Sequence, residues 1–265
     1  MIIILASLSL ERIATRQALI GGERKLKVGK SAAIIVAGGM GTRMGSPVMK
    51  QLILFDDKPV LTHTLLAFEK HSEVDELVLV VPKGAVDEVM KLAVTPYGFT
   101  KIQAVIEGGE HRQASVWAGL NALDSAVEWV LIHDGARPLV SAEVIGSVIS
   151  GVSKEISAIS GVKTKDTIKI TNENAQVLET SPREVTWMVQ TPQAFSYQLI
   201  MSAHKQALHK GFIGTDDSVL VERIGGVVKM VEGDYANIKL TTPEDMYVAE
   251  ALHRFKAYSH QRKTP

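Results

Sequence analysis

Ala32-Ala33-Ile34-Ile35-Val36-Ala37, followed at once by Gly38-Gly39-Met40-Gly41-Thr42-Arg43, is the stretch on which the fold turns. A short continuous apolar run that ends in glycines reads as a strand buried on both faces. Outward from it the same rhythm repeats. Val60 to His71 is helical in pattern, Leu77 to Val81 (LVLVV) is a second buried strand stopped by Pro82, and Ile102 to Ile106 is a weaker third. Arg112 to Leu123 predicts a helix with Val116, Leu120 and Leu123 on one face, and Trp129 to His133 predicts a strand running straight into Asp134. Alternation of this kind predicts an α/β fold, a parallel sheet with helices on both sides. One segment departs from it: within residues 163–190, Asp166 to Ile170, a turn over TNEN at 171–174 and Val177 to Thr180 predict a hairpin excursion, by itself no more than a surface hairpin. A helix at Tyr197 to Lys210, a short helix from Asp217, a strand at Val227 to Val231 and a final helix from Pro243 complete the pattern.

The chain has 265 residues, enough for one large α/β domain with a substantial core. Lys plus Arg and Asp plus Glu number 29 each, so the chain is formally neutral. Neutrality gives no argument for nucleic acid or an anionic membrane as partner, and any anion site must be local. Cysteine is absent, which excludes disulfides, zinc thiolates and thiol nucleophiles and fits a reducing cytoplasm. The eight histidines show no HxH or HExxH spacing, against a histidine metal centre. The apolar start, MIIILASLSL, is ended by Glu11 and Arg12, too short to span a bilayer, and it lacks the basic beginning of a secretory signal. Residues 1–30 therefore read as an extension, disordered or the product of a misassigned start, with Val28 as the alternative beginning; the domain proper runs over 31–265.

Four motifs carry chemistry. In AGGMGTRMGSPVMKQ, Gly38, Gly39 and Gly41 let backbone N–H groups approach phosphate oxygens, and Arg43 and Lys50 supply cations. A dinucleotide fingerprint fails because Met44 stands where its third glycine belongs, and a Walker loop fails for want of Gly-Lys-Ser/Thr. A tight strand-to-helix turn with solvated charges is the plainer account. In GGEHRQAS, Gly108 and Gly109 end a strand, and the helix start with Ser115 as hydroxyl donor suits a base, ribose or phosphate; alone it is a capped helix. In HDGARP, Asp134 ends a buried strand, where ligands of open α/β sheets bind, and is suited to Mg²⁺ or an acceptor hydroxyl, with Arg137 orienting it. The alternative is an Asp–Arg pair that only fixes the loop. His133 reads as structural. In NIKLTTPED, Lys239 precedes a helix that Thr242 caps, and by itself this is capping chemistry.

Taken in order, AGGMGTRM…KQ, GGEHRQASV, HDGARP, KDTIK, QTPQAF, GTDDS and NIKLTTPED resemble the 2-C-methyl-D-erythritol 4-phosphate cytidylyltransferase family over about residues 31 to 252. The resemblance implies a Rossmann-like nucleotidyltransferase sheet with a protruding β-arm, at about 163–190, that clasps a homodimer. It implies transfer of a cytidylyl group from CTP to 2-C-methyl-D-erythritol 4-phosphate with Mg²⁺, releasing pyrophosphate, in the cytoplasm. Arg43, Lys50, Arg183 and Lys239 match the family's catalytic cations, with Arg183 reaching the neighbouring subunit's acceptor phosphate. Ala37, the glycines and Ser115 match its nucleotide site. Asp134, Arg137, Thr167, Thr191 and Thr215 match its acceptor side, with Asp134 also the metal ligand. One departure is visible: Met49 stands where the family has proline before the loop lysine, so a less rigid loop is expected. The rivals are ribitol-5-phosphate cytidylyltransferase, which shares the loop, HDxxRP and NIK motifs, a non-catalytic nucleotide-binding protein and, disfavoured by the missing glycine, a nicotinamide oxidoreductase.

Overall fold

The structure is a computed structural model that describes residues 29–38 and 49–261, with side chains through 256. The proposed extension up to residue 28, together with Gly39, Gly41 and Arg43, lies outside the described residues. Strand β1 (Lys30–Val36) is buried on both faces. Ala32, Ile34 and Val36 face one core, and Ala33 and Ile35 face the other. A two-residue period, apolar in both phases, is what helices on both sides require.

After the first loop, β2 (Leu54–Phe55) and β3 (Lys58–Pro59) form a small ribbon, whose turn places Asp56 and Asp57 at positive φ. Helix α1 (Val60–Glu69), strand β4 (Glu76–Val81), the short helix α2 (Val86–Val89) with its wider turn Met90–Val94, strand β5 (Ile102–Glu107), helix α3 (Arg112–Asn121) and strand β6 (Val127–Asp134) follow. Then come α4 (Ala142–Gly151), β7 (Ile156–Lys163), β8 (Lys169–Thr171), β9 (Val177–Thr180), β10 (Trp187–Ser196), α5 (Tyr197–His209), α6 (Ser218–Arg223), β11 (Val227–Glu232) and α7 (Pro243–Gln261).

The main sheet has the order β11-β7-β10-β6-β1-β4-β5. Every pairing is parallel except those of β10, which runs antiparallel to both β6 and β7. The parallel sheet expected from the sequence is present, with β10 as its one antiparallel strand. Its direction follows from the hairpin excursion: β7 leads out, β10 leads back, and a returning leg beside its outgoing leg is antiparallel. From β1 the chain turns first to β4 on one side and later to β6 on the other. Ligands of open α/β sheets bind at the carboxyl ends of strands flanking such a reversal.

The core lies in two layers. Leu61, Leu65 and Phe68 of α1 and Val144, Ile145 and Val148 of α4 cover one face of the sheet. Val116 and Leu120 of α3 and Ile200 and Ala203 of α5 cover the other. Helix α3 comes closest at Gly119, where a Cβ would stand 2.6 Å from Ile34 Cγ2. A third cluster of Phe55, Val60, Leu139, Leu240 and Ala249 pins α7, and the segment before it, to the ribbon.

The hairpin is present, with Lys169 opposite Thr180 and Ile170 opposite Glu179. Its first strand starts at Lys169 rather than Asp166. Asn172 shapes the turn, its Oδ1 accepting the N–H groups of Asn174 and Gln176 at 3.1 and 3.0 Å. Every residue of β8 and β9 is exposed, including Ile170, Val177 and Leu178.

Candidate active site

Three backbone hydrogen bonds carry the sheet ladder one step past the strand ends and so fix the level at which the loops depart. They are Ala37 N–H to Val80 O (2.7 Å), Gly108 N–H to Val81 O (2.7 Å) and Gly135 N–H to Val36 O (2.8 Å). Above that level is a cavity of about 370 Å³ whose lining includes Ala37, Gly38, Lys50, Gly109 and Ser115. A second cavity of about 290 Å³ adjoins it, with Arg137, Thr191, Gln193 and Thr215 in its wall. Arg112, Asp134 and Lys239 line both.

Asp134 is the hinge of this arrangement. Its Oδ1 accepts from Arg112 Nε at 3.0 Å, and its Oδ2 lies 2.9 Å from Lys239 Nζ and 3.7 Å from Arg137 Nε. Burial alone would raise its pKa, but Arg112, Lys239 and Arg137 outweigh burial and hold the carboxyl well below the usual range. It is ionised at any physiological pH. Arg137 is itself anchored, its Nη1 donating to Asn237 O at 2.7 Å. Lys239 is delivered by backbone as well as by charge, since Leu240 N–H donates to Ala136 O at 2.8 Å.

His133 is fully buried, and burial, its largest influence, depresses its pKa to about 3. The ring is therefore neutral. Its Nε2 faces Arg137 O at 3.4 Å and its Nδ1 faces Thr191 Oγ1 at 3.0 Å. A carbonyl only accepts, so Nε2 carries the proton and Nδ1 accepts from the Thr191 hydroxyl. Thr191 Oγ1 in turn accepts from Asp134 N–H at 3.1 Å. In this fold His133 is bonded to Thr191, and Thr191 to the end of β6.

On the other side, Lys50 reaches the rim, its Nζ 3.5 Å from Leu240 O. Met49, in the place of the family's proline, has φ −54°, the backbone a proline would hold, and its side chain packs against the core. The buried Gln51 donates to Ala37 O at 2.8 Å and ties residue 51 to the end of β1. Ser115 is buried, and its hydroxyl donates to His111 O at 3.1 Å, within its own helix start. Gly38 and Gly109 line the cavity, whereas Gly108 serves packing: a Cβ there would stand 2.5 Å from Ser115 Oγ.

Two expected residues lie elsewhere. Arg183 and Thr167 line neither cavity. They meet each other beside the hairpin, with Arg183 Nη2 donating to Thr167 Oγ1 at 2.6 Å. Two residues were missed, Arg112 and its partner Asp217. Arg112, quoted only as part of a helix start, bridges Asp134 to Asp217, with Nη1 2.6 Å from Asp217 Oδ2. An arginine in the first turn of a helix, where the dipole disfavours a cation, was the available signal.

A family model described as 2-C-methyl-D-erythritol 4-phosphate cytidylyltransferase matches residues 31–254. A protein of that name from Desulforamulus reducens is 46% identical over 225 residues, covering 85% of this chain and 96% of the relative. The solved structure of 4-diphosphocytidyl-2C-methyl-D-erythritol synthase from Anaerococcus prevotii superposes with TM-score 0.77 at 37% identity, over 85% of this chain and 96% of that one. A 2-C-methyl-D-erythritol 4-phosphate cytidylyltransferase from Thermus thermophilus gives TM-score 0.68 at 33% identity, over 86% and 100%. The ribitol-5-phosphate and non-catalytic readings are not favoured by these matches. With the sheet, the paired cavities and these relatives in agreement, the chain belongs to the 2-C-methyl-D-erythritol 4-phosphate cytidylyltransferase family, and is a nucleotidyltransferase.

Proposed function

We propose that the two cavities divide the reaction between them: CTP occupies the one lined by Gly38, Lys50, Gly109 and Ser115, and 2-C-methyl-D-erythritol 4-phosphate the one lined by Arg137, Thr191 and Thr215. The observation that carries this is the shared wall, where one buried carboxylate, Asp134, is held by three cations. An oxygen of the acceptor phosphate attacks the α-phosphorus of CTP, a new P–O bond forms, and the bond to the departing pyrophosphate breaks with its electron pair. Two anions must meet, so the protein's task is placement and neutralisation, with no covalent enzyme intermediate. Lys50, with Arg43, sets positive charge against the α-phosphate; Lys239, held on Asp134, positions the acceptor.

Among the described residues no cluster of three His, Asp or Glu gathers that could enclose a metal ion. Mg²⁺ takes one or two protein carboxylates and completes its shell with phosphates and water. Asp134, the carboxylate common to both cavities, would hold it, and the ion would supply further neutralisation of the triphosphate. The exposed apolar hairpin, with Arg183 and Thr167 at its base, supports a homodimer in which the arm serves the neighbouring site. No described helix is long and apolar enough to cross a membrane. We place the enzyme in the cytoplasm on the ground of its family.

Pyrophosphate release tests the reading, with CTP, UTP and ATP each paired with 2-C-methyl-D-erythritol 4-phosphate and with ribitol 5-phosphate. The expected outcome is turnover with CTP and the methylerythritol acceptor. Faster turnover with ribitol 5-phosphate, or with UTP or ATP, would overturn the substrate assignment.

A further inference from the structure

The first turn of α3 does more than face the nucleotide cavity. Two consecutive side chains leave it in the direction of the loop 212–217, which carries Thr215 and Asp216 into the wall of the second cavity. Arg112 spans the gap by charge, with Nε on Asp134 Oδ1 at 3.0 Å and Nη1 on Asp217 Oδ2 at 2.6 Å. Gln113 spans it by neutral hydrogen bonds at both ends of one amide: its Nε2 donates to Phe212 O at 3.0 Å, and its Oε1 accepts from Gly214 N–H at 2.8 Å.

The far end of the strut is rigid. Asp217 is buried and its other oxygen faces His204 Nε2 at 3.2 Å, in a ring stacked on Trp117 of α3. Burial alone would raise the Asp217 pKa, and Arg112, with His204, holds it low instead. Asp216 is fixed independently, accepting from Gln193 Nε2 at 2.8 Å and from Ser218 Oγ at 3.0 Å. Gly214 admits no side chain, since a Cβ would meet Val219 Cγ1 at 2.5 Å. Thr215 is thus an exposed residue between two clamped neighbours.

We propose that Arg112 and Gln113 are positioning residues for acceptor recognition: they fasten the loop bearing Thr215 to the helix start that lines the nucleotide cavity. Neither is assigned a contact with the reacting atoms. The inference rests on the reading of Thr215 as an acceptor-side residue. Two neutral hydrogen bonds in a half-buried place, once removed, loosen the loop by an amount that shows as about a tenfold change in acceptor affinity.

The test uses the full-length enzyme with Gln113→Ala, Asp217→Asn, Thr215→Ala and the Gln113→Ala/Thr215→Ala double variant. CTP binding to the enzyme alone is read by calorimetry, and the acceptor KM and kcat are read at saturating CTP. Gln113→Ala is expected to raise the acceptor KM about tenfold while the CTP Kd stays within about twofold. The double variant is expected to have the acceptor KM of Thr215→Ala alone, because a residue that acts only by placing Thr215 has nothing left to place. If Asp217→Asn does not fold, Gln113→Ala carries the test, as it leaves no buried charge unpaired. An unchanged acceptor KM in Gln113→Ala, with Thr215→Ala impaired, would overturn the proposal and leave the acceptor-side reading standing. Equal losses of CTP and acceptor affinity would also overturn it, as the mark of a general structural role. An unchanged KM in Thr215→Ala would remove the acceptor-side reading of the loop itself, and the proposal with it.

Discussion

Asp134 faces three cations with a single charge, and among the described residues only Arg112 of the three has a second carboxylate, Asp217, among its ion pairs. Replacing it with Asn leaves Arg137 and Lys239 crowded without their counterion and Arg112 with Asp217 alone. All three are partly exposed, so the cost sits at the low end for a broken buried pair, roughly 3 kcal/mol. The urea midpoint of Asp134→Asn should fall accordingly, and a midpoint within error of the unmodified enzyme would mean that solvent already screens the cations. Next to it, His133 makes stability depend on pH. In the unfolded chain its pKa is about 6.5, whereas the folded site lowers it to about 3. A depressed histidine contributes fully above the unfolded value, and its contribution is lost as pH falls from there toward the folded value. Between pH 6 and 4.5 the difference in unfolding free energy between the unmodified enzyme and His133→Asn should therefore shrink by roughly 1.4 kcal/mol per pH unit. Parallel pH profiles would show that another group sets the acid limb. Lys50→Ala belongs to this scale too. Its charge is assigned to the transition state, so turnover should drop by about 100-fold or more while CTP binding changes little. A raised KM with normal kcat would move Lys50 to uniform binding.

Elements were legible in proportion to how local their cause is. β1, β4 and β6 announce themselves because a strand covered on both faces needs apolar residues in both phases, and AAIIV, LVLVV and WVLI leave no other reading. β7 and β10 gave no such signal, for physical reasons. β7 buries Ser157 and Ser160, small polar residues that break an apolar pattern. β10 carries Pro192 and Gln193 at its middle, which argues against a central strand, yet it is central. Its ladder breaks between Val189 and Gln193, and there Thr191 meets His133 and Asp134. The irregularity that hid the strand is the one that builds the site. The Arg112–Asp217 pair was illegible because its partners stand 105 residues apart and only the fold brings them together. Gly119 shows the reverse, a glycine whose purpose is plain once the helix is docked. Alanine there gains about 1 kcal/mol in helix propensity but drives a methyl into Ile34 Cγ2 and Val80 Cγ2, branched atoms that cannot swing away. Overpacking of this kind costs roughly 1–3 kcal/mol. Gly119→Ala should be net destabilised by about 1 kcal/mol, with kcat lowered well below its melting temperature because α3 carries Ser115 and Arg112 outward with it. A stabilised variant of normal activity would show that the sheet yields there.

At the scale of the whole molecule the open question is which site Arg183 serves. Within one chain it bonds to Thr167 beside an exposed hairpin and lines neither cavity. A cation assigned to the acceptor phosphate but placed outside its own chain's cavities has reason to act on a neighbour's. Ile170, Val177 and Leu178, with apolar side chains open to solvent on the same hairpin, would give such a neighbour a surface to grip. Mixing variants separates the readings. Subunits with Arg183→Ala are combined with subunits carrying Lys50→Ala, each inactive alone. If Arg183 works across the interface, a mixed dimer collects both lesions in one site and leaves the other intact. Activity then returns toward half that of the unmodified enzyme per mixed dimer. If Arg183 works within its own chain, each site keeps one lesion and the mixture stays inactive. Subunit exchange is verified by mass-tagged partners before the assay. Inactivity of an exchanged mixture would reject the clasped arm and leave Arg183 a partner of Thr167 alone, whereas recovery would make the dimer the smallest unit with a complete site.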